Sequence, residues 1–482
     1  MNRLCRLAWL GALAWTVSGC IIDPATGERS LGQVITRDDE LAIGREEHPR
    51  ILRQFGGAYA DAQIAAYVNG IGQNLARVSE LPELAFTFSV LNSPIVNAFA
   101  LPGGYVYVTR GLLALAGSEA ELASVLAHEI GHVTARHAAQ RHQRAAAAPP
   151  STKPGELGQD PTAYVQGYSR EQEMEADTLG IRYLARAGYD PQAMSGFLRK
   201  LDAHAKLEAQ LMGLADDQTD QMSFTSTHPR TADRVEAAAR RAGEVAAQPT
   251  AAPQRGLNAE AYLKRIDGIL YGDDPEQGFV RGSSFLHPKL LFRFDTPQGF
   301  RLFNSTQRVI ARNPGEAIIL FDSAKRDPMT LPTMQEYLTR TWSRDLALTD
   351  VEAITIGGMP AATGWARVDT NRGARDLRLV AIQYDDATIY RFTYITPPGL
   401  TQSLASDLRR STYSFRTLTR EEAAALKPLR LRVATVAAGD TVASLAEQLP
   451  LPDSREARLR ALNGLGPEDM LQPGQPVKLV AE

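Results

Sequence analysis

The 482-residue sequence has little cysteine and no excess of positive charge. Its 2 cysteines, Cys5 and Cys20, both lie near the N-terminus, so the remaining chain forms no disulfide bond. A formal charge of −3 argues against a protein that holds a nucleic-acid backbone, and we expect no nucleic-acid partner. No apolar run is long enough to cross a membrane, which excludes a protein with several membrane spans. The length allows about two to four globular domains.

The N-terminal segment predicts a secreted protein with a lipid anchor. Arg3 and Arg6 precede the apolar run Leu7 to Val17, and small residues follow just before Cys20. This order is typical of a secretory signal peptide, here residues 1–19. Its end resembles a bacterial lipobox, in which the cysteine carries the lipid and begins the mature chain.

The residue after the cysteine bears on the destination. In bacterial lipoproteins an Asp at that place favours retention in the inner membrane, whereas this chain has Ile21. We therefore expect residues 20–34 to tether the protein to the inner leaflet of the outer membrane of a Gram-negative cell, facing the periplasm. Several acyl chains on one cysteine give a stable anchor.

The rest of the chain predicts a multidomain α+β protein. Residues 35–245 predict a mainly helical domain with a small sheet, and residues 256–425 an antiparallel α+β domain without a catalytic cluster. The second domain resembles a PsbP-like layout. In the first domain we expect helices at 36–55, 61–77, 118–144 and 169–187, and extended segments at 86–90, 97–101 and 105–109.

The motif that carries chemistry is His128-Glu129-Ile130-Gly131-His132. Two histidines four residues apart lie on one face of a helix, so both imidazoles can bind one Zn²⁺. Glu129 lies beside them and can accept a proton from a metal-activated water. Catalytic zinc sites use a third protein ligand and keep one position open, so another residue has to complete the site.

The third ligand is not expected from the same helix. Ala138 stands where one known zinc-protease pattern has a histidine. His137 is nine residues from His128, on the opposite side of a regular helix, so we expect a surface or supporting residue there. The next helix offers carboxylates instead, and spacing alone leaves three candidates open: Glu171, Glu173 and Glu175.

The two motifs together resemble the gluzincin metallopeptidases of the HtpX and BepA type, which are related to the CAAX prenyl proteases. In that family HExxH is followed, on the next helix, by E-x-x-A-D, which residues 173–177 match. The resemblance covers residues 35–242 and implies one zinc ion per chain. Its ligands would be His128, His132 and Glu173, with Asp177 as the supporting acid.

The resemblance also implies contacts to the substrate. Residues 97–104 are similar to the family's substrate-side edge strand and turn, which points to Asn97, Ala98, Phe99, Ala100 and Gly103. His228, in a His-Pro pair, is expected to face the zinc, either stabilising the oxyanion or filling the fourth position and holding the enzyme latent. Arg234 is expected to bind developing negative charge or to brace an acidic residue.

The C-terminal residues 432–482 predict a small strand–helix–helix–strand module that resembles a LysM domain. Such domains in general bind glycans that contain N-acetylglucosamine, so peptidoglycan is a candidate partner. We expect a zinc-dependent endopeptidase that hydrolyses unfolded or misassembled envelope proteins. Two alternatives stay open, a zinc-dependent peptidoglycan hydrolase and a latent peptidase that acts mainly as a chaperone.

Overall fold

The structure is a computed structural model that describes residues 35–141, 167–211, 228, 232–247, 257–325, 333–370 and 373–482. It also describes two short antiparallel strands, β1 (Ile21–Ile22) and β2 (Arg29–Ser30). The expected signal peptide and Cys20 lie outside the described residues. Within the described ranges, no helix is both long and apolar enough to cross a membrane.

The described residues between 35 and 247 form helices around a small mixed sheet. The helices are α1 (Arg37–Gln54), α2 (Ala62–Ala76), α3 (Arg110–Leu115), α4 (Glu119–Thr134), α5 (Arg170–Arg186), α6 (Ala193–Leu211) and α7 (Ala232–Ala246). The strands are β3 (Thr87–Leu91), β4 (Ala98–Leu101) and β5 (Tyr105–Thr109). Their order is β3-β5-β4, so β4 is an edge strand, antiparallel to β5. The expected hairpin is present.

Side-chain caps determine where the key helices begin. The Thr36 hydroxyl accepts a hydrogen bond from the Asp39 backbone, and the Asp39 carboxylate accepts one from the Thr36 backbone, which starts α1. Ser169 and Gln172 form the same reciprocal box at the start of α5. Each box satisfies backbone N–H groups that have no partner inside the helix.

Two glycines let α4 and α5 approach closely. A Cβ added to Gly131 of α4 would lie 2.9 Å from the carbonyl oxygen of Ala176. A Cβ added to Gly180 of α5 would lie 3.1 Å from the backbone nitrogen of His128. Each helix thus packs its bare backbone against the other, and the first turns of α5 lie beside the end of α4.

The helix predicted over 118–144 is shorter than expected, because α4 ends at Thr134. Arg136 adopts a left-handed backbone conformation with φ of 54°, and helical turns resume at 137–141. The Arg136 guanidinium donates to the carbonyl oxygen of Ile35 over 2.6 Å and pairs with Glu40 of α1 over 3.1 Å. Contacts to α1 therefore hold the turn that breaks the helix.

The segment after the helical domain begins with α8 (Ala259–Ile266) and β6 (Leu270–Tyr271), which pack into the helical domain's core. A four-stranded sheet of order β17-β9-β8-β7 consists of β7 (Phe279–Arg281), β8 (Ser284–His287), β9 (Phe292–Asp295) and β17 (Arg416–Thr417). Phenylalanines fill the core beneath it: Phe285, Phe292, Phe294, Phe321, Phe392 and Phe415.

A seven-stranded antiparallel sheet dominates the middle domain, in the order β10-β11-β12-β16-β15-β14-β13. Its strands are β10 (Arg301–Asn304), β11 (Val309–Arg312), β12 (Ile318–Lys325), β13 (Thr349–Ile356), β14 (Met359–Thr370), β15 (Gly373–Gln383) and β16 (Thr388–Thr396). The helices are α9 (Met334–Glu336), which continues as a π-helical turn at Tyr337–Trp342, α10 (Pro398–Tyr413) and α11 (Arg420–Ala425).

The C-terminal module has the expected order of elements. These are β18 (Leu429–Thr435), α12 (Val442–Glu447), α13 (Arg455–Asn463) and β19 (Pro476–Ala481). Strand β6 adds to the module's sheet, whose order is β19-β18-β6, and the module shares one hydrophobic core with the helical domain. The predicted multidomain α+β fold class is confirmed.

Lys478 of β19 fastens the module to the helical domain. Its ammonium donates hydrogen bonds to the carbonyl oxygens of Ala114, Leu115 and Ala116, over 2.8, 2.7 and 2.9 Å. The side chain is buried, and burial lowers the pKa of Lys478 well below its usual range. The acceptors end α3, where the partial negative charge of a helix terminus favours a donor. Lys478 therefore ties the module to the helix that precedes α4.

We expect Lys478→Met to destabilise the helical domain together with the module. The change leaves buried carbonyl oxygens without their donor, which costs about 1–3 kcal/mol for each buried group left without a partner. Urea unfolding followed by circular dichroism measures the loss. The control is Lys264→Met, because Lys264 is exposed and pairs with Glu260 across one helical turn. A midpoint unchanged from wild type would show that the joint does not depend on Lys478.

Candidate active site

Four buried side chains direct one donor atom each to a common point. His128 and His132 come from α4, Glu173 from α5, and His228 lies just before α7. All four donor atoms lie within 4.8 Å of one another. The structure brings together these four residues, all of which the sequence offered as site residues, and the spacing of four residues on α4 accounts for the two histidines.

The donor atoms fit a single metal ion. The two histidine Nε2 atoms of α4 are 3.0 Å apart. Glu173 places Oε2 3.5 Å from Nε2 of His128 and Oε1 3.5 Å from Nε2 of His132. His228 Nδ1 lies 3.3 Å from His128 Nε2 and 3.0 Å from Glu173 Oε1. Ligands about 2.0–2.1 Å from a tetrahedral zinc lie about 3.3 Å apart, so nitrogen and oxygen donors of this kind suit such an ion.

Asp177 and Arg234 support this cluster from α5 and α7. His128 Nδ1 lies 2.9 Å from Asp177 Oδ1, which leaves Nε2 directed to the site. Arg234 binds Asp177 through Nε and Nη2 over 2.8 and 2.9 Å, and its Nη1 lies 2.6 Å from Glu173 Oε2. Arg234 thus braces both carboxylates, one of the two positions that the sequence left open for it.

The electrostatics of the site favour a positive charge. Burial opposes ionisation of Glu173, but His228 and Arg234 hold the pKa of Glu173 well below its usual range. Burial also opposes a charge on His128, yet the hydrogen bonds to Asp177 and Glu173 raise the pKa of His128 to about 10. Ionised carboxylates around buried imidazoles thus favour a proton or a divalent cation at their centre.

Glu129 is fully buried beside the donors. Its Oε1 lies 3.4 Å from His228 Nε2. Neither carboxylate oxygen has a hydrogen-bond partner among the described residues, and burial raises the pKa of Glu129. A carboxylate in this environment gains from accepting a proton, as a general base requires.

His137 is the residue whose place the sequence did not resolve. It is fully buried, so the expectation of a surface residue is wrong. The structure has His137 in the other expected role, as a residue that supports the site. Its Nδ1 lies 2.8 Å from His132 Nδ1, and its Nε2 lies 3.1 Å from Glu175 Oε2. Tyr168 stacks on a face of the His132 ring, with centroids 3.9 Å apart. His137 reaches this position because the helix breaks after α4, at Arg136. The periodicity of the sequence does not predict that break.

The edge strand β4 borders the same site. Ala100 and Leu101 line a small recess together with His132 and Tyr168. Asn97 precedes the strand, and Thr109 Oγ1 accepts a hydrogen bond from its backbone nitrogen over 3.1 Å. All four residues of the strand, Ala98 to Leu101, are buried. Gly103 sits in the turn with φ of 80°, against the backbone of α1.

Comparison with known proteins adds independent information. Residues 62–149 and 157–242 match peptidase family M48, and residues 434–480 match the LysM domain. Among solved structures, the cyanobacterial PsbP of Synechocystis sp. PCC 6803 is 15% identical with a TM-score of 0.23, covering 29% of this chain and 98% of that protein. The PsbP-like layout of residues 256–425 stays a prediction.

Several named proteases are similar to this chain. The beta-barrel assembly-enhancing protease of Yersinia pestis is 30% identical over 369 residues, which cover 70% of this chain and 68% of the relative. The protease of the same name from Escherichia coli K12 is 34% identical, covering 36% of this chain and 39% of the relative. The mitochondrial metalloendopeptidase OMA1 of Schizosaccharomyces pombe is 30% identical, covering 44% of this chain and 63% of the relative. The chain therefore belongs to peptidase family M48 and joins a metallopeptidase domain to a C-terminal LysM domain.

Proposed function

We propose that this protein is a zinc-dependent endopeptidase of the bacterial envelope, with one zinc ion per chain. The observation that carries the proposal is the convergence of four buried donors, from two helices and one loop, within 4.8 Å. His128, His132 and Glu173 would hold the ion. When bound, zinc supplies a Lewis acid that makes water a nucleophile at neutral pH.

The residues of the chain carry the proton and orient the ligands. Glu129 accepts the proton of the attacking water on a carboxylate oxygen and passes it to the nitrogen of the leaving amine. Asp177 holds the His128 ring by its Nδ1 atom. Arg234 braces Asp177 and Glu173, so the two carboxylates stay in place as charge changes nearby.

The substrate is proposed to bind as an added strand along β4. Within the described part of the chain, β4 pairs only with β5, so its other edge faces the recess next to His132. Contacts from 97–101 and the turn at Gly103 would bind an extended backbone through main-chain hydrogen bonds. Binding of that kind selects unfolded chains. Together with the name of the Yersinia relative, it supports unfolded or misassembled periplasmic and outer-membrane proteins as substrates.

The proposed location is supported by the N-terminal sequence and by the LysM domain. Lipidation at Cys20 would anchor the protein to the inner leaflet of the outer membrane, facing the periplasm. Peptidoglycan lies in the same compartment, and the LysM domain is the part proposed to contact it. Because β6 and Lys478 join that domain to the peptidase domain, a bound glycan would set the position of the active site relative to the cell wall.

His228 is proposed to hold the peptidase latent. Its Nδ1 lies 3.3 and 3.0 Å from atoms of His128 and Glu173, the spacing that ligands of one metal share. An imidazole in the fourth position excludes the water from which Glu129 must take a proton. This contact favours the latent state over oxyanion stabilisation. The same contact is compatible with the alternative function, a latent peptidase that acts mainly as a chaperone.

The metal assignment is tested by zinc content and cleavage together. We expect about one zinc per wild-type chain, measured by atomic emission, and its loss in Glu173→Ala because a ligand is removed. Glu129→Gln should keep its zinc and lose cleavage of a denatured protein by a factor of about 10² to 10⁴, because only the base is removed. Full zinc content in Glu173→Ala would refute this ligand. Hydrolysis of purified cell wall instead of protein would favour the peptidoglycan alternative.

The anchor is tested by Cys20→Ser. We expect the variant to leave the membrane fraction, because a serine at this position cannot carry the lipid that would anchor the chain. Fractionation after a high-salt wash measures this, with wild type in parallel. A variant that stays with the membranes would mean that another attachment exists.

The latency of the enzyme is tested by His228→Ala. We expect faster cleavage of a denatured protein and more self-cleavage, with 145–163 as the expected segment, a stretch outside the described residues. The paired control is the double change His228→Ala and Glu129→Gln, which should be inactive. A fall by a factor of about 10² to 10³ would instead indicate a lost oxyanion donor and contradict latency.

A further inference from the structure

We propose that His137 and Glu175 are positioning residues of the metal site, which hold His132 in the one tautomer and ring orientation that direct its Nε2 atom to the ion. This inference rests on the proposed function, because it presumes a metal at the four donors. It concerns residues outside the ligand set, and it explains one buried and one partly buried contact that catalysis itself does not use.

The contacts form a chain that leads away from the site. His132 Nδ1 is 2.8 Å from His137 Nδ1, and His137 Nε2 is 3.1 Å from Glu175 Oε2. The His137 side chain is fully buried, whereas the Glu175 side chain is 32% exposed. The two hydrogen bonds thus connect the buried His132 to the Glu175 carboxylate, which is partly exposed to solvent.

The protons on the two imidazole rings have one arrangement that satisfies both hydrogen bonds. A neutral imidazole has one N–H donor and one acceptor nitrogen. If His132 Nε2 faces a cation, its proton is on Nδ1, which then donates to His137 Nδ1. His137 in turn carries its proton on Nε2 and donates to the Glu175 carboxylate. Hydrogen bonds of this type fix the tautomer and orientation of a metal-binding histidine.

The backbone is distorted at the residue that delivers His137. Arg136 has φ of 54°, a conformation that costs free energy for any residue with a side chain. Two contacts offset this cost, to the Ile35 carbonyl and to Glu40. In an unbroken helix His137 would face away from the site. The distorted backbone at Arg136 therefore turns the next residue, His137, toward His132.

The two metal-binding histidines of α4 are supported in parallel ways. Asp177 touches His128 directly over 2.9 Å, and Glu175 reaches His132 through the ring of His137. Both carboxylates belong to α5, which also supplies Glu173. One helix thus provides a ligand and the acceptors that orient the other two ligands.

The test is zinc affinity, measured by competition with a chromogenic chelator on the full-length protein. We expect His137→Ala to weaken zinc binding by a factor of about 10 to 100, because His132 loses the acceptor that fixes its ring. His137→Asn should stay within a factor of about three of wild type, because its amide oxygen can accept the same hydrogen bond. Co²⁺ absorption should change in the Ala variant and be restored in the Asn variant.

The matched control is His48→Ala. His48 also makes one hydrogen bond in the helical domain, to the Tyr107 hydroxyl over 2.7 Å, but touches no metal-binding residue in the described structure. It should bind zinc like wild type. If His137→Ala does not fold by circular dichroism, Glu175→Ala serves in its place, and we expect a loss of several-fold.

Three results separate the possible failures. Wild-type affinity in a folded His137→Ala, or in Glu175→Ala where that variant replaces it, would overturn the inference. An Asn variant as weak as the Ala variant would overturn the hydrogen-bond explanation. Wild-type protein that binds no zinc would instead refute the proposed function, and it would leave His137 without a metal to orient.

Discussion

The close approach of α4 and α5 is the constraint on which the rest of the structure depends. Gly131 and Gly180 remove the side chains that would otherwise keep the two backbones apart. As a result, Glu173 on the first turns of α5 reaches the two histidines near the end of α4. A Cβ at Gly131 would meet the backbone of Ala176, and a Cβ at Gly180 would meet the Met194 side chain as well as the backbone of His128, so a larger residue at either position would push the helices apart.

Such a site is costly to bury, and its surroundings explain how the charges are tolerated. Buried carboxylates are stable only when paired and hydrogen-bonded. Arg234 pairs with Glu173 and Asp177, and Asp177 in turn contacts His128. Glu129 remains the carboxylate whose oxygens lack a hydrogen bond among the described residues, as suits the residue that is proposed to exchange a proton.

Local sequence patterns were sufficient to predict the elements whose structure depends on residues close together in the chain. The four-residue spacing of His128 and His132 and the cap at Ser169 determine elements that form as expected. Two features depended on long-range contacts and could not be predicted. The helix break at Arg136 needs α1, and the attachment of the LysM domain needs Lys478 to meet carbonyls more than 350 residues earlier in the chain.

The measurement that tests the central claim most directly is anomalous diffraction at the zinc absorption edge, on crystals of the zinc-loaded wild-type protein. The account predicts a single strong peak within bonding distance of His128 Nε2, His132 Nε2 and the Glu173 carboxylate. A peak at another place, or none at these donors in protein that contains zinc, would contradict it.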